Sequence, residues 1–391
     1  MNGKYLLSTF IFLLINIPYC FAQNNANSLS VTAMQGITIF TPDSYQPQGY
    51  FYGAEIAYRL NMANNNVAWI KDLNIKDIAF TATWFNLHAI SINEPPEIKG
   101  TLGNVFGGLT ILDMSLFETG KTIFYFSPGF GFIYSTQTYY TNNNPIVGSH
   151  INLAVQAGFK METPMSPTTK LAIGANFFHY SNSGFKLPNE GVNNINATIG
   201  IIRNIDADGP NRKKETFRID DKQSFEFGIG AGRRGFVNAG NYINPQTGKS
   251  IPLPDSAAQR NATSNLYMLS LYAGYSYRLN SLFSLKAGTD VVYYFKPFSW
   301  DNFYRTYQES GSSFDNVAWG LSLGTDVWLG RMAFMFNYGY YLHFNTITPE
   351  HFYWTIGGKY YLNNWMSLNV KMYIHGFDAQ YANFGLVFNV D

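Results

Sequence analysis

Cysteine is almost absent from this chain. The single one, Cys20, lies at the end of an apolar N-terminal stretch. Met1 to Ala22 read as a secretory leader: Lys4 supplies the positive start, Leu6 to Ile15 the apolar run, and Cys20-Phe21-Ala22 a small-x-small cleavage site before Gln23. The apolar run is too short for a membrane helix. A lipidation signal needs a small residue just before the cysteine, and Tyr19 stands there instead. With the leader removed, no thiol remains. That excludes a disulfide framework, a thiolate metal site and a cysteine nucleophile.

Charge is scarce as well. Charged residues make up 13% of the chain, against about 25% in an ordinary soluble protein. Lys and Arg number 26 and Asp and Glu 25, so no basic excess points to nucleic acid. After the leader no apolar run approaches the ~20 residues of a spanning helix. Amphipathic helical periodicity is scarce too. The six histidines are scattered without ligand spacing, so a metal site has little support. Aromatic residues, by contrast, reach 17%, and there are 35 glycines. An exported, aromatic-rich, glycine-rich chain without helices points to a β-barrel in the outer membrane of a Gram-negative bacterium, ahead of a secreted β-sandwich.

Period-2 alternation fills the sequence, in segments of about ten residues parted by turn residues. Phe225, Phe227, Ile229 and Ala231 alternate with Glu226, Gly228 and Gly230. Ala382, Phe384, Leu386, Phe388 and Val390 alternate with Asn383, Gly385 and Asn389. The apolar set is expected to meet lipid and the other set to fill an interior. About eight such segments precede Arg203 and about eight follow Lys222, which suits even-numbered barrels. Two short matches at corresponding places suggest a tandem duplication. Tyr58-Arg59-Leu60-Asn61 returns as Tyr277-Arg278-Leu279-Asn280, and Asn104-Val105-Phe106-Gly107-Gly108-Leu109 as Asn316-Val317-Ala318-Trp319-Gly320-Leu321. The charged stretch between the halves reads as a solvated periplasmic linker. The expected fold is therefore all-β, a transmembrane antiparallel barrel protein. Residues 1–22 are the leader, 23–205 an eight-stranded barrel, 206–221 the linker and 222–391 a second barrel-like repeat. One sixteen-stranded barrel is the alternative. Gly228-Ile229-Gly230-Ala231-Gly232-Arg233 has the look of a phosphate loop, but no helix follows it, and small residues lining a barrel explain it better. Residues 234–264 read as an extracellular loop.

The densest chemistry lies in Phe178-His179-Tyr180-Ser181-Asn182-Ser183-Gly184-Phe185-Lys186-Leu187-Pro188-Asn189-Glu190-Gly191-Val192-Asn193. His179 and Ser181 lie two residues apart at the end of the seventh segment, so a strand aims both at one face. They share parity with Leu171, Ile173, Ala175 and Phe177, the outward set. If the chain starts in the periplasm, this end lies at the extracellular rim. Asn193 has outward parity on the next segment, beside His179. Hydroxyl, imidazole and an orienting side chain then meet in one patch. Ser181 is the candidate nucleophile and His179 the general base and later acid. The turn Asn182-Ser183-Gly184 is placed to aim backbone N–H groups at an oxyanion.

The run His-Tyr-Ser-Asn-x-Gly-x-Lys-x-Pro-Asn-x-Gly resembles the lipid A 3-O-deacylase family, also known as acyloxyacyl hydrolases. The resemblance covers the first half of the chain. It implies an eight-stranded outer-membrane barrel that hydrolyses the ester-linked acyl chain at position 3 of lipid A without metal or cofactor. It implies His179 and Ser181 as catalytic residues and Asn182 and Gly184 as oxyanion-hole donors. The partner is then lipid A, or lipopolysaccharide, in the outer leaflet. One departure stands out: the family has an acid where this chain has Asn193. Asparagine can orient a histidine but cannot neutralise the imidazolium that forms. Glu190, in the same loop, is an alternative acid. The second half lacks the motif: Phe377 occupies the serine's place, and His375 has interior parity. It reads as a degenerate copy, leaving open a homodimer, an intramolecular pseudo-dimer, or a barrel that acts only as a pore or lipid binder.

Overall fold

The computed structural model describes residues 26–39, 47–92, 98–99, 102–142, 144, 146–186, 189–205, 222–237, 241–243, 250–252, 263–295, 313–344, 351–376 and 378–390. The expected leader and the expected linker at 206–221 lie outside these residues, as do Phe377 and much of the loop at 234–264. Within that loop, Asn241–Ile243 and Ser250–Pro252 pair as a short ribbon.

Sixteen strands build the barrels. In the first half they are β1 (Ser28–Ile39), β2 (Phe51–Asn61), β3 (Ile75–Asn86), β4 (Asn104–Thr119), β5 (Thr122–Ser135), β6 (Ile151–Pro164), β7 (Thr169–Ser181) and β8 (Val192–Asn204). In the second they are β9 (Gln223–Val237), β10 (Thr263–Arg278), β11 (Phe283–Tyr294), β12 (Val317–Leu329), β13 (Met332–His343), β14 (Phe352–Tyr361), β15 (Met366–His375) and β16 (Asp378–Val390). Each strand pairs antiparallel with its sequence neighbours. β1 closes on β8 with Ser28 opposite Asn204, and β9 closes on β16 with Phe225 opposite Val390. The chain thus forms two closed eight-stranded barrels. The sixteen-stranded alternative is corrected by these closures: the β1–β8 and β9–β16 ladders consume the edges that a single large barrel would have to share.

Alternation decides which side chains face out. Leu323 is 69% exposed and Phe159 63%, while the inward Tyr353 and Tyr373 are at 0%. Rows of exposed large apolar side chains around both barrels are the surface expected of a protein solvated by lipid. Tyr58 and Tyr277, the counterparts in the repeated tetrapeptide, both point outward at the ends of β2 and β10.

The interiors are filled by charge and aromatic rings. In the first barrel Arg59 reaches Asp77, Asp113 and Glu162 at 2.9, 3.0 and 2.6 Å, and Lys160 reaches Asp113 at 2.8 Å. In the second, Lys359 bridges Glu226 and Asp326 at 2.7 and 2.6 Å. Asp290 accepts from Lys371 at 2.5 Å, Ser322 and Tyr353 at 2.9 Å, and Tyr373 at 3.0 Å. Charges this deep persist because each is held in an ion pair. The glycines of the Gly228–Gly232 run face inward beneath Tyr272, Asn383 and Tyr381, which supports the small-residue reading of that motif.

The barrels touch through like elements. Phe130 of β5, the fifth strand of the first barrel, meets Phe334 of β13, the fifth of the second, edge to face at 5.1 Å. In the turns between second and third strands, Ser281 donates a hydrogen bond to Asp72. Leu329 packs on the apolar cluster of Met62 and Ile70 beside that turn.

Candidate active site

β7 and β8 pair in register with His179 opposite Asn193. Phe178 and Tyr180 are buried in the first barrel's interior, where Phe178 packs edge-on against Phe85 at 4.9 Å. His179 and Ser181 therefore point out of the wall, with the exposed Ile173 and Phe177. Asn193 points out with Ile195 and Ile199 on β8.

His179 Nδ1 and Asn193 Oδ1 are 2.7 Å apart. A carbonyl oxygen only accepts, so Nδ1 carries the proton and Nε2 presents its lone pair. That is the tautomer a general base needs. Gly191 supports the ring from behind. Its φ is +74°, and a Cβ there would lie 2.7 Å from His179 Cε1. Only glycine takes this backbone conformation freely and leaves room for the imidazole. In the sequence Gly191 is one letter of the motif; in the structure it is the floor beneath His179.

Ser181 ends β7, and a tight turn follows. Ser183 and Gly184 have φ of +55° and +74°, and Phe185 N–H donates to Asn182 O at 3.0 Å. Positive φ at both central positions is the type I′ geometry, in which Gly at the second site is favoured. The loop beyond is tied back on itself. Asn182 Nδ2 donates to Lys186 O at 2.7 Å, and Lys186 N–H to Asn182 Oδ1 at 3.1 Å. Asn182 N–H donates to Asn189 Oδ1 at 2.7 Å. The expected oxyanion donor at Asn182 is thus already engaged by Asn189, a residue that spacing alone did not single out. Val147 and Asn189 form an isolated bridge, and Glu190 N–H donates to Ile146 O at 3.1 Å, docking the loop on the neighbouring one. Glu190 is exposed there. The acceptor on His179 Nδ1 is Asn193, not Glu190.

In the second barrel His375 is buried, stacks on Tyr341 at 5.6 Å and lies 3.1 Å from its hydroxyl. It is an interior residue, as its parity predicts. Among the described residues no group of three or more His, Cys, Asp or Glu side chains is placed to hold a metal.

Closed eight-stranded barrels with apolar outer rows are of the outer-membrane class, and the outward His-Asn pair with a serine nearby is a candidate site on the wall of the first. Family comparison makes this specific. Residues 52–201 match the lipid A 3-O-deacylase (PagL) family, and residues 224–391 match the acyloxyacyl hydrolase C-terminal domain. The first half of the chain belongs to the lipid A 3-O-deacylase family. No curated protein matches. Among solved structures, the outer-membrane enzyme PagL is similar at 15% identity and a TM-score of 0.29, covering 44% of this chain and 97% of that one. OccAB1 of Acinetobacter baumannii is similar at 7% identity and a TM-score of 0.25, covering 95% and 97%. The siderophore receptor PirA from Pseudomonas aeruginosa is similar at 8% identity and 0.19, covering 94% and 81%.

Proposed function

We propose that the first barrel is a serine esterase that removes the ester-linked acyl chain at position 3 of lipid A in the outer leaflet. One observation carries the chemistry: the His179–Asn193 hydrogen bond on the outward face, two residues from Ser181. His179 Nε2 takes the Ser181 proton as Oγ attacks the acyl carbonyl. The tetrahedral intermediate collapses, and His179 returns the proton to the departing sugar hydroxyl. Water then attacks the acyl-serine, with His179 again as base, and releases a fatty acid. The turn at Asn182–Gly184 supplies backbone N–H groups to the oxyanion. Gly184 N–H is the immediate donor; Asn182 N–H joins when it exchanges Asn189 for the substrate oxygen. Residues 1–22 act as the leader and 206–221 as a periplasmic linker. The like-to-like contacts between barrels support an intramolecular pseudo-dimer.

Mass spectrometry of lipid A from cells expressing the parent, beside cells expressing Ser181→Ala, tests this. The parent removes one hydroxyacyl mass and the variant does not. Equal removal by both sinks the assignment of Ser181.

A second reading, lipid binding without turnover, is favoured by the engaged Asn182 N–H and by Asn193 in place of an acid. Lipid A binding with no released fatty acid from the parent would select it. A pore is disfavoured by the charge networks across both interiors, and planar-bilayer recordings are expected to show no steady conductance.

A further inference from the structure

Gly184, in the turn beside Ser181, packs against the second barrel. A Cβ on it would lie 2.7 Å from the carbonyl oxygens of both Ala379 and Gln380, at the start of β16. The turn between the seventh and eighth strands of one barrel thus abuts the start of the eighth strand of the other. Arg233 of β9 reaches the same seam. It has the outward parity of Phe227 and Ile229, and its guanidinium lies 4.7 Å from the Phe185 ring centroid. Next in the loop is Lys186, whose Nζ sits 3.9 Å above the Tyr140 ring.

Two cations converge here from different barrels, each seated on an aromatic face. No carboxylate pairs with either among the described residues, and Arg233 Nε is buried with no hydrogen-bond partner. Burial lowers the Lys186 pKa, and the nearby Arg233 lowers it further. Aromatic seats orient cations while leaving their N–H groups unused. Like charges held together without an acid are costly unless an anion completes the set. A guanidinium fork beside an ammonium matches a tetrahedral oxyanion, and phosphate above all.

We propose that Lys186 and Arg233 bind a phosphate on the glycolipid headgroup, so that the second barrel supplies one arm of the substrate site. This rests on the esterase reading for its substrate class. Four residues separate Lys186 from Ser181 through a closed turn. An anchored phosphate would therefore hold the sugar near the nucleophile, and the second barrel would act as a recognition wall rather than an idle copy.

The test uses full-length Ser181→Ala protein in zwitterionic micelles, so that binding is read without turnover. Bisphosphorylated lipid A and its dephosphorylated counterpart are titrated, with Arg233→Gln and Lys186→Gln added singly. Each variant is expected to weaken the phosphorylated lipid about tenfold and to narrow its advantage over the dephosphorylated one. Arg233→Lys, which keeps the charge but not the fork, is expected to fall between. Equal binding of both lipids to the starting protein, or equal losses for both lipids in the variants, would overturn the proposal. Competition with inorganic phosphate separates the sources. Little displacement at millimolar phosphate supports a lipid headgroup, whereas full displacement assigns the site to free phosphate and overturns the lipid assignment. Failure of the esterase reading shows elsewhere, as absent fatty-acid release by the Ser181 protein with this binding preference intact.

Discussion

His179 Nδ1 stands 2.7 Å from Asn193 Oδ1, across one rung of the β7–β8 ladder. The bond sets the imidazole tautomer without adding charge. Asn193 therefore supplies half of what an acid would: orientation, but no stabilisation of the imidazolium. Asn193→Asp is expected to raise kcat by about tenfold or more, and Asn193→Leu to lower it by about tenfold to a hundredfold. Release of hydroxy fatty acid from lipid A micelles reads both. An aspartate variant no faster than the parent would show that charge at this position does not limit the reaction.

Gly191 is the second constraint on that ring. Gly191→Ala forces a Cβ to within 2.7 Å of His179 Cε1 at a φ of +74°. The strained backbone costs about 1–2 kcal/mol of stability. The displaced imidazole should cost at least about tenfold in kcat. The two effects separate by measurement: thermal unfolding followed by gel mobility reads the first, and turnover of the folded fraction reads the second. Unaltered turnover would mean that the ring position seen here is not the reactive one.

Asn189 ties the far end of the loop to Asn182 N–H at 2.7 Å. Asn189→Ala is expected to slow turnover about tenfold, because an untied turn no longer presents its N–H groups in place. Barrel melting should hardly change, since the bond lies beyond the strand ends. A rise in kcat would instead mean that displacing Asn189 costs more than its tie contributes to ordering the turn.

Much of this was legible in the sequence because strand periodicity is strict. The parity of Ile173 and Phe177 fixed the face of His179 and Ser181, and that of Ile195 and Ile199 fixed the face of Asn193. What alternation cannot encode is which strands close on each other, since β8 could equally pair onward to β9. Nor can it encode contacts between barrels. Arg233 looked like the last letter of a glycine-rich run, and only the packing of β9 against the loop at Phe185 gives it a neighbour. Asn189 and Gly191 were visible as letters, but their roles depend on φ angles and loop closure that spacing does not specify.

The interior networks make a last prediction, about stability, and their asymmetry sharpens it. Arg59 is the ion-pair partner of Asp77 among the described residues, and it also holds Asp113 and Glu162, which retain Lys160 as a second partner. Arg59→Met strands a buried carboxylate and thins the pairing of two more. Breaking such a set by removing one side costs about 3–5 kcal/mol. Lys371→Met removes the cation beside Asp290, yet Tyr353, Tyr373 and Ser322 still donate to that carboxylate. Its loss should be smaller, about 1–3 kcal/mol, because neutral donors continue to solvate the charge. Urea unfolding in micelles, read by tryptophan fluorescence, should rank Arg59→Met below Lys371→Met in midpoint. The reverse order would mean that the neutral donors around Asp290 do not compensate, and that Lys371 alone keeps that carboxylate in the second barrel.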